Sequence, residues 1–328
     1  MQQPPENKKD DYSLSWRSKR VKATVSVILV GLVLFYFVLP QIHVFGLNNR
    51  QEVPRQWGYV IIAASVFLLT FFLSAVSYKS LAFAKLKYFK TSLIQFASDP
   101  FHVMLPSGIG AMGFNYIYLR RNQHTRVKAG LVVTMNNLIG VAANSSMLLV
   151  LLLIFGLSSK EKRVYTFHSS WLFAGGVLLV IFGIVAAYLL SNHIAKLHNL
   201  KHELVLAIKQ YRQRLPRLAI AFVSASGLSL ITAFAFWFSL KAYGINLTYA
   251  SSFVIYSFSV FIGSTIPTPG GLGGVEASLV AGLLAVHAAS ASLALAAVLA
   301  YRALSYWTPL IIGLIALALV KRFHLIRA

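Results

Sequence analysis

Apolar residues run along this chain in long blocks, not in the alternation of a strand or on one stripe of a surface helix. Blocks at 23–40, 57–77, 130–157, 170–190, 218–240 and 293–320 carry almost no charge. A helix needs about 20 apolar residues at about 1.5 Å rise to cross a hydrocarbon layer roughly 30 Å thick, so each block predicts a transmembrane helix. The first has a basic flank like a signal peptide, but no small-residue cleavage site follows it, and an uncleaved helix is expected. Two further stretches, 92–119 and 248–287, are apolar but broken by proline and glycine. Between and around the blocks lie a basic tail at 1–22, a basic loop at 191–217 and a short tail at 321–328, which leaves 23–320 as one transmembrane domain.

Composition strengthens this picture. The chain is 57% hydrophobic and 12% charged with a mean hydropathy of +0.69, more apolar side chain than a soluble core of 328 residues can bury. The expected fold class is an all-α polytopic membrane protein. A net charge of +22 could suggest nucleic acid, but the basic residues sit beside the apolar blocks, where an anionic leaflet accounts for them. No nucleic-acid partner is expected. The absence of cysteine removes disulfides, thiolate metal sites and cysteine nucleophiles.

The two broken stretches resemble each other. Pro106-Ser-Gly-Ile-Gly110 matches Pro269-Gly-Gly-Leu-Gly273 at an offset of 163 residues, and the same offset carries 57–77 onto 220–240 and 130–157 onto 293–320. The halves about 57–157 and 220–320 then form a repeat, the pattern that marks many transporter sites. If each broken stretch is a re-entrant hairpin and the amino terminus is cytoplasmic, inside segments hold 23 Lys and Arg and outside segments 6. The positive-inside rule selects this orientation, with both termini cytoplasmic, in a cell (inner or plasma) membrane. The second half is then inverted relative to the first.

Irregular backbone at membrane depth is tolerated only where protein or water covers it. Pro106, Gly108 and Gly110 in the first tip, and Pro267, Pro269, Gly270, Gly271, Gly273 and Gly274 in the second, are therefore candidate substrate-binding positions. Prolines break a helix, glycines admit a close backbone approach, and a half-helix starting at Gly274 points its positive end at an anion such as phosphate. A tight packing turn is the structural alternative. Six of the eight acids fall in tails or loops, leaving Asp99 and Glu276 inside the apolar stretches. Arg302 lies deep in 293–320, where a charge is paired or faces a cavity, and Glu276 is its natural partner. The pair either neutralises itself or works on a ligand, with Arg302 holding a phosphate and Glu276 an amine or a proton. Asp99, before Pro100, is a candidate ligand group or a helix cap. Asn115, Asn136 and Asn137 could line the cavity, and His102 reads as a satisfied interior histidine. His198 and His202 stand four apart beside Glu203 without the pattern of a metal motif, and no metal or cofactor is expected. The basic segment 202–217 reads as a surface helix on anionic lipid. No nucleophile elbow, phosphate loop or working carboxylate pair is present, and no soluble catalytic domain is expected after the last block, so the chain is not expected to be an enzyme.

"IPTPGGLGGVEASLVAGL", "AYRALSYWTPLIIGLIALAL" and the upstream "LPSGIG" together resemble the lysylphosphatidylglycerol synthase transmembrane-region family, over Val21 to Val320. The resemblance implies a flippase-like integral membrane protein that moves phospholipid or polyprenyl-phosphate-linked lipid between leaflets. Members of the family often carry an acid after the first-motif glycine, whereas this chain reads Gly110-Ala-Met-Gly. Aminoacyl transfer in the synthases is implied to belong to an appended soluble domain. The expected partners are membrane lipids with an anionic or phosphate-bearing headgroup. Two other classes remain: a scaffold for a membrane-bound glycosyl- or aminoacyl-transferase, and an intramembrane lipid-phosphate enzyme.

Overall fold

The computed structural model describes residues 54, 56–105, 108–156, 209–211, 213–265, 268 and 270–322. The tail 1–22, the spans 23–40 and 170–190 and most of the loop 191–217 lie outside them, as do Pro106, Pro267 and Pro269. Among the described residues all regular structure is helical. Nine helices follow in order: α1 (Trp57–Leu81), α2 (Tyr88–Met104), α3 (Ile109–Arg121), α4 (Arg126–Gly156), α5 (Leu215–Ala242), α6 (Tyr249–Thr265), α7 (Gly274–Ala285), α8 (Ala291–Arg302) and α9 (Thr308–Arg322). A π-helical turn, Ala303–Trp307, joins α8 to α9 into one continuous rod. α1, α4, α5 and the α8–α9 rod are long and apolar enough to span a membrane.

Element lengths repeat. A helix of 25 or 28 residues is followed by one of 17, then one of 13 or 12, then a long one. The offset of 163 needs correction. α2 and α6 start 161 residues apart and α3 and α7 start 165 apart, because the connection between the second pair is four residues longer. Gly108, the N-cap of α3 at φ 69°, therefore corresponds to Gly273, the N-cap of α7 at φ 82°. Matching Gly110 to Gly273 put a residue inside a helix against one that starts a helix.

α1 and α5 run antiparallel. At one end the Gln56 amide donates to the Ala242 carbonyl (3.3 Å), and at the other the Tyr211 hydroxyl donates to the Leu81 carbonyl (2.7 Å). Small buried residues, Ala63 and Ala75 on α1 and Ala221, Ala225 and Ala235 on α5, allow the close packing that membrane helices need where no hydrophobic force distinguishes protein from lipid. Two apolar cores flank this seam. One gathers Phe236, Leu240, Tyr243, Leu279, Leu283 and Val298, and the other Leu81, Ile94, Leu119, Val132, Tyr211 and Val320. Tyr211, within segment 202–217, is thus turned into the protein, while Lys209 and Leu215 are exposed.

Each broken stretch folds as two helices packed side by side, and glycines set the spacing. A Cβ on Gly110 would strike the Phe101 carbonyl, and one on Gly263 the Val275 side chain. Pro100 does not end α2, which continues to Met104, so Asp99 is an interior helical residue and not a cap. Pro100 cannot donate to the Phe96 carbonyl, and α9 brings Gly313 against that freed oxygen. A Cβ at Gly313 would sit 2.7 Å from it and 2.6 Å from Pro100 Cδ.

The loops at the Leu81 end are fastened by His124. Its Nε2 accepts from the amides of Phe83 (3.0 Å) and Ala84 (3.3 Å), while Nδ1 faces the carbonyls of Asn122 (2.7 Å) and Leu119 (3.1 Å). Only the neutral ring with its proton on Nδ1 satisfies this set. Burial, the largest cause, holds His124 below the usual histidine range against the two carbonyls, and Lys128 adds to the lowering. A depressed folded-state value means that stability from this latch is present above the unfolded value, about pH 6.5, and is lost as pH falls below it. Thermal melts in detergent should therefore fall as pH drops from about 6.5. In His124→Gln, which keeps an acceptor but cannot titrate, that segment of the melting curve should be flat.

Candidate functional site

Three elements of the second half converge on one buried ion pair. The Arg302 Nε donates to Glu276 Oε1 at 2.7 Å, and Nη2 donates to the Gly270 carbonyl at 3.1 Å. The other carboxylate oxygen, Oε2, accepts from the Gly273 amide at 2.8 Å, which ties Glu276 to the start of its own helix. Both charged residues are buried, at 8% and 7% exposure. A carboxylate in the first turn of α7 also meets the positive end of that helix. Each oxygen of Glu276 is therefore engaged by the protein, and its geometry is that of a clamp between Arg302 and the tip.

Backbone conformation explains the glycines. Gly270, Gly271 and Gly273 have φ of 58°, 69° and 82°, the left-handed region where a side chain is costly. Gly270 has a second reason, since its missing Cβ leaves room for the Tyr306 ring. That ring also lies 4.9 Å from the Arg302 guanidinium carbon. Tyr306 is held by the π-helical turn, in which the Thr308 amide and hydroxyl both bond the Ala303 carbonyl, five residues back. Such turns mark functional positions often enough to be informative. Neither Tyr306 nor the turn is legible beforehand, because "YRALSYW" reads as ordinary helix.

The first hairpin contributes at a distance. Arg302 acts electrostatically on His102, and Asp99, Glu276 and Arg302 all act on Tyr306. Asp99 Oδ2 and the Tyr306 hydroxyl are both buried without a hydrogen-bond partner. The His102 Nδ1 would lie 2.9 Å from a Cβ on Gly108, so the ring packs at the start of α3.

The asparagines are placed elsewhere. Asn115 accepts from Gln95 Nε2 (2.9 Å) and donates to the Ala111 carbonyl (3.0 Å), and Gln95 in turn accepts from Ser74 (3.0 Å). This chain ties α1, α2 and α3 together and accounts for the burial of Asn115. Asn136 accepts from Ser77 on α1 (2.7 Å), and Asn137 donates to its own helix at Val133 (2.8 Å). Gly110 and Gly274 act in packing and at the head of α7. No cluster of three metal-ligating side chains occurs among the described residues.

Long apolar helices, two helix-break-helix units and a buried ion pair at a glycine break define a multi-pass membrane protein. The chain belongs to the lysylphosphatidylglycerol synthase TM region family, whose family model matches residues 24–313. Among curated proteins no match is found. The family connects the chain with lipid modification or transport.

Proposed function

We propose that the protein moves a phosphate-bearing lipid between leaflets, with the two glycine tips forming the path of the headgroup. The observation that carries this reading is the Arg302–Glu276 clamp anchored on the Gly270 carbonyl at an irregular break. A buried arginine held against bare backbone beside the start of a helix is suited to a transient anion. In this reading the halves are an inverted repeat with two re-entrant hairpins. The antiparallel α1–α5 seam, the repeated element lengths and the sorting of basic residues support it. Transport without catalysis is the activity proposed. The scaffold alternative predicts that a partner transferase works normally when the clamp is removed.

Two experiments test this. Purified protein in vesicles should accelerate transbilayer exchange of a short-chain, headgroup-labelled anionic phospholipid, and a rate equal to protein-free vesicles removes the reading. Topology can be mapped on the cysteine-free chain: Thr125→Cys should label only from the cytoplasm and Ala291→Cys only from outside. Labelling of both from one face would show that the halves are not inverted.

A further inference from the structure

The acid left over is on the other hairpin. Glu276 spends one oxygen on Arg302 and the other on Gly273, so the Arg302 charge is already matched within 2.7 Å. Asp99 Oδ2 has no such partner. It is buried and makes no hydrogen bond, while Asp99 acts electrostatically on Tyr306, whose hydroxyl is also buried and unbonded. An ionised Asp99 would leave the cluster with one uncompensated negative charge inside protein, a state far costlier than the neutral acid.

The groups around it are few. On its own helix His102 stands one turn further on, the i+3 spacing that places two side chains on one face. Arg302, Glu276 and Tyr306 face the site from the second half. α9 offers no titratable side chain between Thr308 and Val320. Tyr78 and Lys79 on α1, and Tyr116, Tyr118, Arg120 and Arg121 on α3, stand toward the far end of the hairpin, where Lys79 lies over Tyr88 and Tyr118 bonds Thr91. Asp99 is 11 residues beyond Tyr88, roughly 16 Å along the helix. His102, three residues on along the same helix face, is the nearest titratable neighbour of Asp99 on α2.

We propose that Asp99 is a proton-binding site whose occupancy is linked to that of the anion site at Arg302. The chemistry is simple: Oδ2 gains a proton from water on one side and releases it to water, with no other bond changed. An ionised carboxylate beside the tips repels a phosphate, and a protonated one does not. Phosphate binding and proton binding therefore assist each other by the same factor, which is the thermodynamic basis of symport. The proton site stands on the geometry of Asp99, whereas its linkage rests on the lipid reading above.

Infrared difference spectroscopy of the purified protein separates the two. The wild type titrated near neutral pH should show the carbonyl stretch of a protonated carboxyl, and Asp99→Asn, of the same shape, should lose that band while keeping its melting temperature. A spectrum unchanged by Asp99→Asn, or no such band in either protein, overturns the site. Adding short-chain phosphatidic acid, with binding followed by tryptophan fluorescence, should move the band's midpoint to higher pH. Binding without any movement overturns the linkage. A band that persists with no lipid binding keeps the proton site and removes the lipid reading instead.

Discussion

Glu276→Gln alone should destabilise the protein more than any other single charge change, by about 3–5 kcal/mol, because it leaves Arg302 buried without its counter-charge. Glutamine can still accept from the Gly273 amide, so the loss falls on the pair rather than the helix start. Arg302→Met in the same chain removes the orphaned cation and should return the melting temperature in detergent to near the wild-type value. Transport should not return with it. The Gly270 carbonyl would have lost its donor, and the tip would present no cation to a phosphate. Measuring stability and lipid exchange on the same four proteins completes the cycle. A double variant that moves lipid at the wild-type rate would reduce residues 267–274 to a packing turn.

Leucine at Gly271 or Gly108 should abolish transport while leaving an inserted, folded protein. At Gly271 the backbone is at φ 69° and a Cβ would lie 2.9 Å from Val275 Cγ2, so the substitution strains the tip and fills its approach. Gly108 has the same φ, and there the neighbour is the movable His102 ring. Left-handed backbone alone costs roughly 1–2 kcal/mol for a residue with a side chain, small beside the contacts of nine packed helices. Each variant should therefore pass size-exclusion and melting checks and fail in vesicles. Wild-type exchange in both would mean that the tips are not on the lipid path.

Spans at 57–77, 130–157, 218–240 and 293–320 were legible because apolar length is a sufficient signal for a membrane helix, and each has its helix in the structure with ends moved by a few residues. The ion pair was legible for a related reason: a charge in hydrocarbon demands a partner, and Glu276 was one of only two acids available. What sequence did not carry was direction and fine geometry. Pro100 looked like a helix end, yet it is accommodated by Gly313 from a helix more than two hundred residues later, a contact no local pattern contains. Asn115 looked like a cavity residue, and its partner Gln95, which in turn binds Ser74, is likewise nonlocal. Tyr306 was missed because a π-helical turn differs from an α-helix by a single added residue. The offset of 163 erred because one averaged shift was imposed on a hairpin whose two helices obey different ones.

That pair of offsets has an evolutionary and energetic reading. Counting 165 back from Glu276 and Arg302 reaches Ala111 and Asn137, so the chemistry of one hairpin has no copy in the other. A protein with two equivalent gates would rest equally well open to either side. In the transport reading proposed above, one tip is latched by an ion pair, while the other hairpin carries Asp99 at a position that is not equivalent to either member of the pair. In that reading the two facing states would then differ in energy by whatever the latch contributes, and the molecule would have a preferred resting side even without a lipid or a gradient across it.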